Sequence, residues 1–237
     1  MGTLINCAAI IAGGLIGLFL GRFITERIQK TVLQANGAAV IALGIAGALK
    51  QMLIIQNGVL EVHGIFNMIL SLCLGALIGE IIDIESLLER FGEYLKMKTD
   101  SASDSGFTNA FMTASLTVSI GAMAIVGTLE EVLHGDASIL ISKAILDFMI
   151  IILMSASMGK GCMFSFIPVG VLQGSMMVLA FAIAPVFTSN AISFISLTGN
   201  IIIALIGVNL LFGKTVRTAN LLPALVITVA LSFVPGL

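Results

Sequence analysis

Two residues of opposite charge, Lys143 and Asp147, lie one helical turn apart within an apolar stretch of the sequence, residues 139–159. Side chains at positions i and i+4 of a helix share a face and can meet. An isolated ion in membrane hydrocarbon costs about 3 kcal/mol or more, so buried ions pair, face a cavity, or do both. A carboxylate beside an ammonium group can bind a cation, exchange a proton for a solute, or hold both ends of a zwitterion. The sequence therefore predicts a polar site at Asp147, with Lys143 as its partner.

The same pair has a structural interpretation. An ion pair can fasten its helix to neighbouring helices, and Lys143, only about four residues into the stretch, can extend its ammonium group to the membrane surface. Asp147 lies roughly eight residues in and is too deep for that. Asp147 is accordingly the stronger functional candidate of the two.

Three amide side chains are further candidates for lining a cavity. Gln173 lies in an apolar stretch that also contains Pro168 and two glycines, which interrupt helical hydrogen bonding. The sequence predicts a broken span near Pro168, whose freed backbone groups and Gln173 face a cavity; a simple proline kink is the alternative. Asn6 and Asn209 are the deepest asparagines of the predicted spans, and the others suit hydrogen bonds between helices.

Glu80 and a group of hydroxyls are weaker candidates. Glu80 closes the third apolar segment, where it is either a solvated interfacial residue or a gate and proton acceptor. Ser115, Thr117 and Ser119 make the fourth segment unusually polar. Such hydroxyls often bond back to a carbonyl of their own helix, so they do not by themselves indicate a site.

Glycines spaced four residues apart predict close helix packing. They form two runs, Gly13, Gly17 and Gly21 in the first segment, and Gly75 and Gly79 in the third. Small residues at this spacing let another helix approach closely. Packing within one chain is the simpler interpretation, and the seam of a homodimer is the alternative. Neither run carries chemistry.

The composition places these residues in a membrane. Hydrophobic residues make up 58% of the 237, and charged residues only 10%, against about 25% in soluble domains. Ten of the 24 charges lie between Glu80 and Asp104, and the 53 residues from Gly161 to Gly213 carry none. That run exceeds two bilayer crossings of about 20 residues each. The sequence therefore predicts an all-α, polytopic membrane protein.

We predict about eight transmembrane helices from the apolar segments. They are Thr3–Gly21, Gln34–Leu49, Gly64–Ile82, Phe107–Val126, Ile139–Gly159, Phe164–Ala184, Ser193–Phe212 and Asn220–Val234. Lys and Arg are divided about nine to one between alternate loops. The positive-inside rule then places both termini outside.

The segments are organised in two parts of one integrated membrane domain. Residues 1–96 contain three spans and an amphipathic surface helix from Ile84 to Leu95, with apolar residues on one face and charged residues on the other. Residues 97–106 form a polar cytoplasmic linker, and residues 107–237 contain about five spans. Residues 43–49 resemble residues 206–212, which suits an inverted repeat or a chance match between apolar sequences.

Several classes of protein lack support in this sequence. It has no glycine-rich phosphate loop and no Cys/His cluster with metal-ligand spacing, so we expect no metal and no cofactor. It has no basic patch for nucleic acid. Asp147 alone does not make an acid–base or nucleophile set, so we do not expect an enzyme.

A series of motifs resembles a known family. GTLINCAAIIAGGLIGLFLGR, LGALIGEIIDIESLLERFGEYL, SIGAMAIVGTLEEVLHGD, SKAILDF, VLQGS, IGVNLL and TANLLPAL follow one another in that order. Together they resemble the bacterial membrane proteins of the family of unknown function number 554, which are YdfK/YqgA-like. The resemblance covers essentially the whole chain and implies a multi-pass protein of the bacterial inner membrane. It implies no substrate and no assigned site.

These observations favour a secondary transporter or exchanger of a small polar solute or ion. Asp147, Lys143, Gln173, Asn209 and Asn6 would line its central cavity. The alternatives are an ion or small-solute channel and a membrane scaffold or accessory subunit without transport activity. The expected partners are the lipid bilayer, the solute or ion, and a second copy of the chain in a homodimer.

Overall fold

A computed structural model describes residues 1–23, 25–56, 58–99, 101, 104–119, 122–183 and 188–234. This part of the chain is almost entirely helical, which confirms the all-α prediction. Its helices are α1 (Gly2–Gly21), α2 (Glu26–Met52), α3 (Ile65–Ile82), α4 (Ile84–Lys98), α5 (Phe107–Ser119), α6 (Ala122–His134), α7 (Ser138–Met158), α8 (Phe166–Ile183), α9 (Ser189–Phe212) and α10 (Pro223–Leu231). The 3₁₀ helices Lys160–Ser165 and Thr218–Leu221 precede α8 and α10.

Six helical segments of the described chain are long and apolar enough to cross a membrane. They belong to α1, α2, α3, α7, α8 with its preceding 3₁₀ helix, and α9. The bent pair α5 and α6 makes a seventh if it counts as one span. The last apolar helical segment, Thr218–Leu231, is shorter. The structure is thus a polytopic helical bundle with six or seven candidate spans, and the eighth stays a prediction.

The first glycine run packs α1 against α7 in parallel. A Cβ atom at Gly13 would lie 2.7 Å from the Phe148 carbonyl oxygen, and one at Gly21 would lie 2.9 Å from the Ala156 carbonyl oxygen. Gly17 meets the Ile152 carbonyl oxygen between these two contacts. The glycines therefore serve packing within the chain, because their missing side chains let the two backbones touch.

Two other close pairs run antiparallel. Gly37 of α2 lies against Leu210 of α9, and Gly47 lies against Asn200. The second glycine run packs α3 against the end of the chain, because Gly75 meets Ala224 and Gly79 meets the Asn220 carbonyl oxygen. These directions are the ones that an alternating order of eight segments requires. They also pair the helices of the predicted repeat, although the repeat itself stays a prediction.

The helix break lies in the fourth segment and not near Pro168. The predicted span Phe107–Val126 is divided between α5 and α6, whose axes differ by 73°. Pro168 lies in the first turn of α8, which runs without interruption from Phe166 to Ile183. Proline is tolerated there because the first N–H groups of a helix have no partner within it. The predicted break at Pro168 was therefore wrong.

Two smaller elements complete the fold. The predicted amphipathic helix is α4, whose one face packs on α5 and the 3₁₀ helix Thr218–Leu221. A β-hairpin that the sequence analysis did not predict joins α2 to α3. Its strands, Leu53–Gln56 and Val59–Val62, are antiparallel, with Leu53 opposite Val62. The division of the chain at residues 97–106 stays a prediction.

Candidate functional site

Lys143 and Asp147 form the predicted ion pair in the interior of the bundle. The Lys143 Nζ atom lies 2.8 Å and 3.0 Å from the two carboxylate oxygens of Asp147. Only 6% of Lys143 and 3% of Asp147 are exposed. Both residues lie on the buried face of α7 with Leu140, Ala144 and Ile151. Lys143 thus points into the protein and does not extend to the membrane surface.

Lys143 also caps the end of α5. Its Nζ atom donates a third hydrogen bond to the Val118 carbonyl oxygen, over 2.7 Å. The last four carbonyls of a helix have no partner within it, and this end carries the negative pole of the helix dipole. An ammonium group has three donors, so the bonds to Asp147 and Val118 use all of them. The ion pair is therefore bonded directly to the helix that ends at the break.

Two fully buried amides accompany the pair. Asn6 of α1 is close enough to Asp147 to interact with its carboxylate. Thr3 contacts Met177 and Cys7 contacts the carbonyl of Phe166, so α1 and α8 run antiparallel. Asn6 and Gln173 each lie between these two contacts on their own helix. Both amides are fully buried. The Gln173 amide has no hydrogen-bond partner in the described chain, whereas the Asn6 amide lies within reach of the Asp147 carboxylate.

The hydroxyls of Ser115 and Ser119 lie on one face of α5, one turn apart. Both buried oxygens lack a hydrogen-bond partner among the described residues. Thr117 differs, because its hydroxyl donates to the Thr113 carbonyl of its own helix over 2.7 Å. Ser115 and Ser119 border a cavity of about 230 Å³ between α5, α8, α9 and the end of the chain.

This arrangement can bind something small and polar. A buried donor or acceptor without a partner costs about 1–3 kcal/mol, and native proteins pair such groups with protein, water or ligand. The Gln173 amide offers two such atoms in α8, and the Asn6 amide lies beside the ion pair. A buried polar group of this kind holds ordered water or a solute. In the described part of the chain no three His, Cys, Asp or Glu residues are grouped to hold a metal ion.

Asn209 does not belong to this cluster, contrary to the prediction. Its amide nitrogen donates to the Val216 carbonyl over 2.7 Å, and its oxygen accepts from Thr215 and Val216. It therefore holds the loop after α9. Asn209 borders a different cavity, of about 670 Å³, near Glu89 and Lys214. Depth in an apolar segment was its only signal, and that signal does not distinguish a cavity from a loop.

Glu80 lies in an ionic cluster at the end of α3. It accepts hydrogen bonds from Arg217 over 2.7 Å and from the Asn220 amide over 2.8 Å. Arg217 also pairs with Asp83. The carboxylate of Glu80 thus joins α3 to the loop before α10, and its predicted gating role stays a prediction.

The role of the Val118 carbonyl was not predicted from the sequence. Backbone atoms carry no sequence signature, and the break in the fourth segment was not predicted. The only signal was the group of hydroxyls at Ser115, Thr117 and Ser119, which was interpreted as bonding to its own helix. That interpretation holds for Thr117 and is wrong for the two serines.

Comparison with known proteins supports a single family. Residues 1–233 match the family described as "Protein of unknown function (DUF554)". The chain belongs to this family. The predicted resemblance is thereby confirmed over almost the whole sequence.

Two relatives of this DUF554 chain cover nearly its full length. One is "Uncharacterized membrane protein YdfK" of Bacillus subtilis (strain 168), 31% identical over 233 residues, which are 98% of this chain and 96% of the relative. The other is "Uncharacterized protein YqgA" of Escherichia coli (strain K12), 26% identical over 236 residues, again 98% and 96%. No solved structure matches the chain.

Proposed function

We propose that this protein is a secondary transporter or exchanger of a small polar solute or ion. Its binding region comprises Lys143, Asp147, Asn6 and Gln173, together with the end of α5. The observation that carries the proposal is a buried ion pair that lies beside the Asn6 amide and is bonded to the end of α5 at the helix break. A structural clamp needs the ion pair alone and gives no reason for the fully buried Gln173 amide of α8, which has no hydrogen-bond partner in the described chain.

The helix break supports transport as well. Irregular backbone at membrane depth is tolerated where it is buried in protein or lines a cavity. Discontinuous helices whose ends face the solute are common in secondary transporters. α5 has 13 residues, about 20 Å at 1.5 Å per residue, and so covers only part of a hydrocarbon core of about 30 Å. Its end at Ser119 then lies inside the membrane.

The cavity of about 670 Å³, here called the vestibule, lies on one side of this region. It is bordered by Lys30 of α2, Glu89 of α4, Asn109 of α5 and Lys214 after α9. The Lys- and Arg-rich loops lie on the same side, which the positive-inside rule makes cytoplasmic. The protein would then be a bacterial inner-membrane protein with both termini outside.

Leu116 makes a transporter a better candidate than a channel. Its side chain borders both the vestibule and the inner cavity of about 230 Å³. An apolar side chain between two cavities suits a gate that opens on one side at a time. A channel needs a continuous polar path when open.

Flux measurements test the proposal. The purified protein is reconstituted in liposomes, and uptake of radiolabelled small solutes and of ²²Na⁺ is measured for the wild type, Asp147→Asn and Glu61→Gln. Glu61 is an exposed carboxylate of the hairpin and serves as the matched control. We expect saturable uptake of at least one solute, unchanged in Glu61→Gln and lost in Asp147→Asn.

Two results would contradict the proposal. One is equal uptake by Asp147→Asn and the wild type. The other is an absence of saturable uptake across the solute panel by a wild-type protein that circular dichroism shows to be folded.

A further inference from the structure

The cavity of about 230 Å³ bordered by Ser115 and Ser119, here called the chamber, has a lining that suits a small molecule. Its apolar wall includes Leu116, Leu172, Met176 and Ile195, and its polar lining residues are Ser115 and Ser119. Ligand sites in proteins are typically apolar with a few placed polar groups, and those for drug-sized ligands measure about 300–1,000 Å³. This chamber is smaller, so it suits a solute of a few heavy atoms.

Three serine hydroxyls of the described bundle, those of Ser115, Ser119 and Ser155, lack a hydrogen-bond partner, and the first two border the chamber. Thr117 and Thr128 donate to carbonyls of their own helices over 2.7 Å and 2.6 Å. Ser115 and Ser119 do not, although Ser115 is only 3% exposed. Both serines border the chamber near the end of α5, and their hydroxyl oxygens lie just beneath its surface.

The charged groups next to the chamber already have partners. The ammonium group of Lys143 donates its three hydrogen bonds to Asp147 and Val118, so it has no donor left for an anion. Asp147 has Lys143 as its counterion, so a cation would leave one positive charge uncompensated. None of the described residues that border the chamber is charged. A solute with net charge would therefore meet the full cost of desolvation.

We infer that this chamber, at the end of α5, is the part of the proposed binding region that holds the solute, and that it takes an uncharged small solute with a short apolar part, whose polar group is hydrogen-bonded to Ser115 and Ser119. The inference rests on the proposed function and deepens it by naming the solute class. The ion pair then holds the last turn of α5 in place, because Lys143 donates to the Val118 carbonyl.

Three probes of nearly equal size and different charge test this inference. They are propionamide, propionate and propylammonium, each titrated at pH 7 into the full-length protein in lipid nanodiscs. Binding is measured as the rise in unfolding temperature, which follows from mass action. We expect propionamide to stabilise the wild type saturably, and the two ions to bind at least about tenfold more weakly.

Serine variants connect the binding to the chamber. Ser115→Ala and Ser119→Ala should each raise the dissociation constant for propionamide about tenfold, the effect of one lost hydrogen bond of about 1.4 kcal/mol. Ser175→Ala is the matched control, because this exposed serine of α8 bonds to the Leu172 carbonyl of its own helix. It should bind propionamide like the wild type.

Each contrary outcome has a definite meaning. Stronger binding of either ion, unchanged affinity in both serine variants, or stabilisation by none of the three probes overturns the inference. Saturable flux of an ion that depends on Asp147 would overturn it while leaving the proposed transport function intact. Propionamide binding without any Asp147-dependent flux would instead refute transport.

Discussion

Removing one partner of the buried ion pair should damage the protein more than removing both. In Asp147→Leu, the ammonium group of Lys143 keeps its bond to the Val118 carbonyl but loses its counterion and two of its three hydrogen bonds. In Lys143→Met, the carboxylate of Asp147 is left without its countercharge, although Asp147 is only 3% exposed. The double variant Lys143→Met/Asp147→Leu leaves no buried charge behind.

The expected magnitudes follow from the burial of the pair. Breaking a buried pair by removing one partner costs about 3–5 kcal/mol, whereas replacing both partners by apolar residues of similar volume is often neutral or stabilising. For a chain of this size, 1 kcal/mol shifts the unfolding temperature by about 2–4 °C. Each single variant should therefore unfold about 6–20 °C below the wild type. The double variant loses only the Lys143 cap on Val118, and should lie within about 4 °C of the wild type.

Thermal unfolding in one lipid nanodisc preparation, followed by circular dichroism, measures all four proteins together. A coupling energy of at least about 3 kcal/mol between the two substitutions is expected from the double-mutant cycle. Single losses that simply add in the double variant would show that the two side chains do not depend on each other. A single variant as stable as the wild type would show that an unpaired charge is tolerated at this position.

Three further predictions concern packing, a loop and pH. Gly79→Ala should lower the free energy of unfolding by about 1–3 kcal/mol, because its methyl group would overlap the Asn220 carbonyl. Gly174→Ala, which has open space around it, should raise the free energy of unfolding by about 0.5–1 kcal/mol. Unfolding temperatures measure both effects. Asn209→Ala should cost about 1–3 kcal/mol and speed amide hydrogen exchange in residues 213–217, because the loop loses the amide that holds it. Hydrogen bonding from Ser86, helped by the charge of Arg217, lowers the pKa of Asp83 below 3.8. Its contribution to stability is therefore present above about pH 4 and lost as pH falls through the lower folded-state pKa, so Asp83→Asn should show a weaker loss of stability between pH 5 and pH 3.

Each of these has a clear contrary result. Equal unfolding temperatures for the two glycine variants would contradict the close contact between α3 and the chain before α10. Unchanged exchange in the loop would contradict the role of Asn209, and parallel stability curves against pH would contradict the role of Asp83.

The sequence predicted what depends on composition and periodicity. The apolar segments predicted most of the helices, the glycine spacing predicted that another helix packs closely on α1, and the i and i+4 spacing predicted the contact between Lys143 and Asp147. These features are local, since each depends on residues within a few turns of one helix. The charge of Lys143 and Asp147 also pointed to the polar region of the bundle, because charge in an apolar segment demands a partner.

The sequence did not predict what depends on backbone atoms and on the neighbours of a helix. Pro168 and the nearby glycines favoured a break in α8, but the first turn of a helix accommodates proline, and the break lies after Ser119 instead. Asn6 and Asn209 had the same signal, an amide in an apolar segment. Only packing decides that Asn6 lies beside Asp147 and that Asn209 holds a loop.

Lys143 and Asp147 are proposed to serve a solute site as well as the fold. The most direct test is saturable solute uptake by the double variant Lys143→Met/Asp147→Leu in liposomes, once its unfolding temperature is known to match that of the wild type. We expect a folded protein without saturable uptake, because the end of α5 has lost the cap that positions Ser115 and Ser119. Uptake at the wild-type rate by this folded variant would show that the pair is only a clamp.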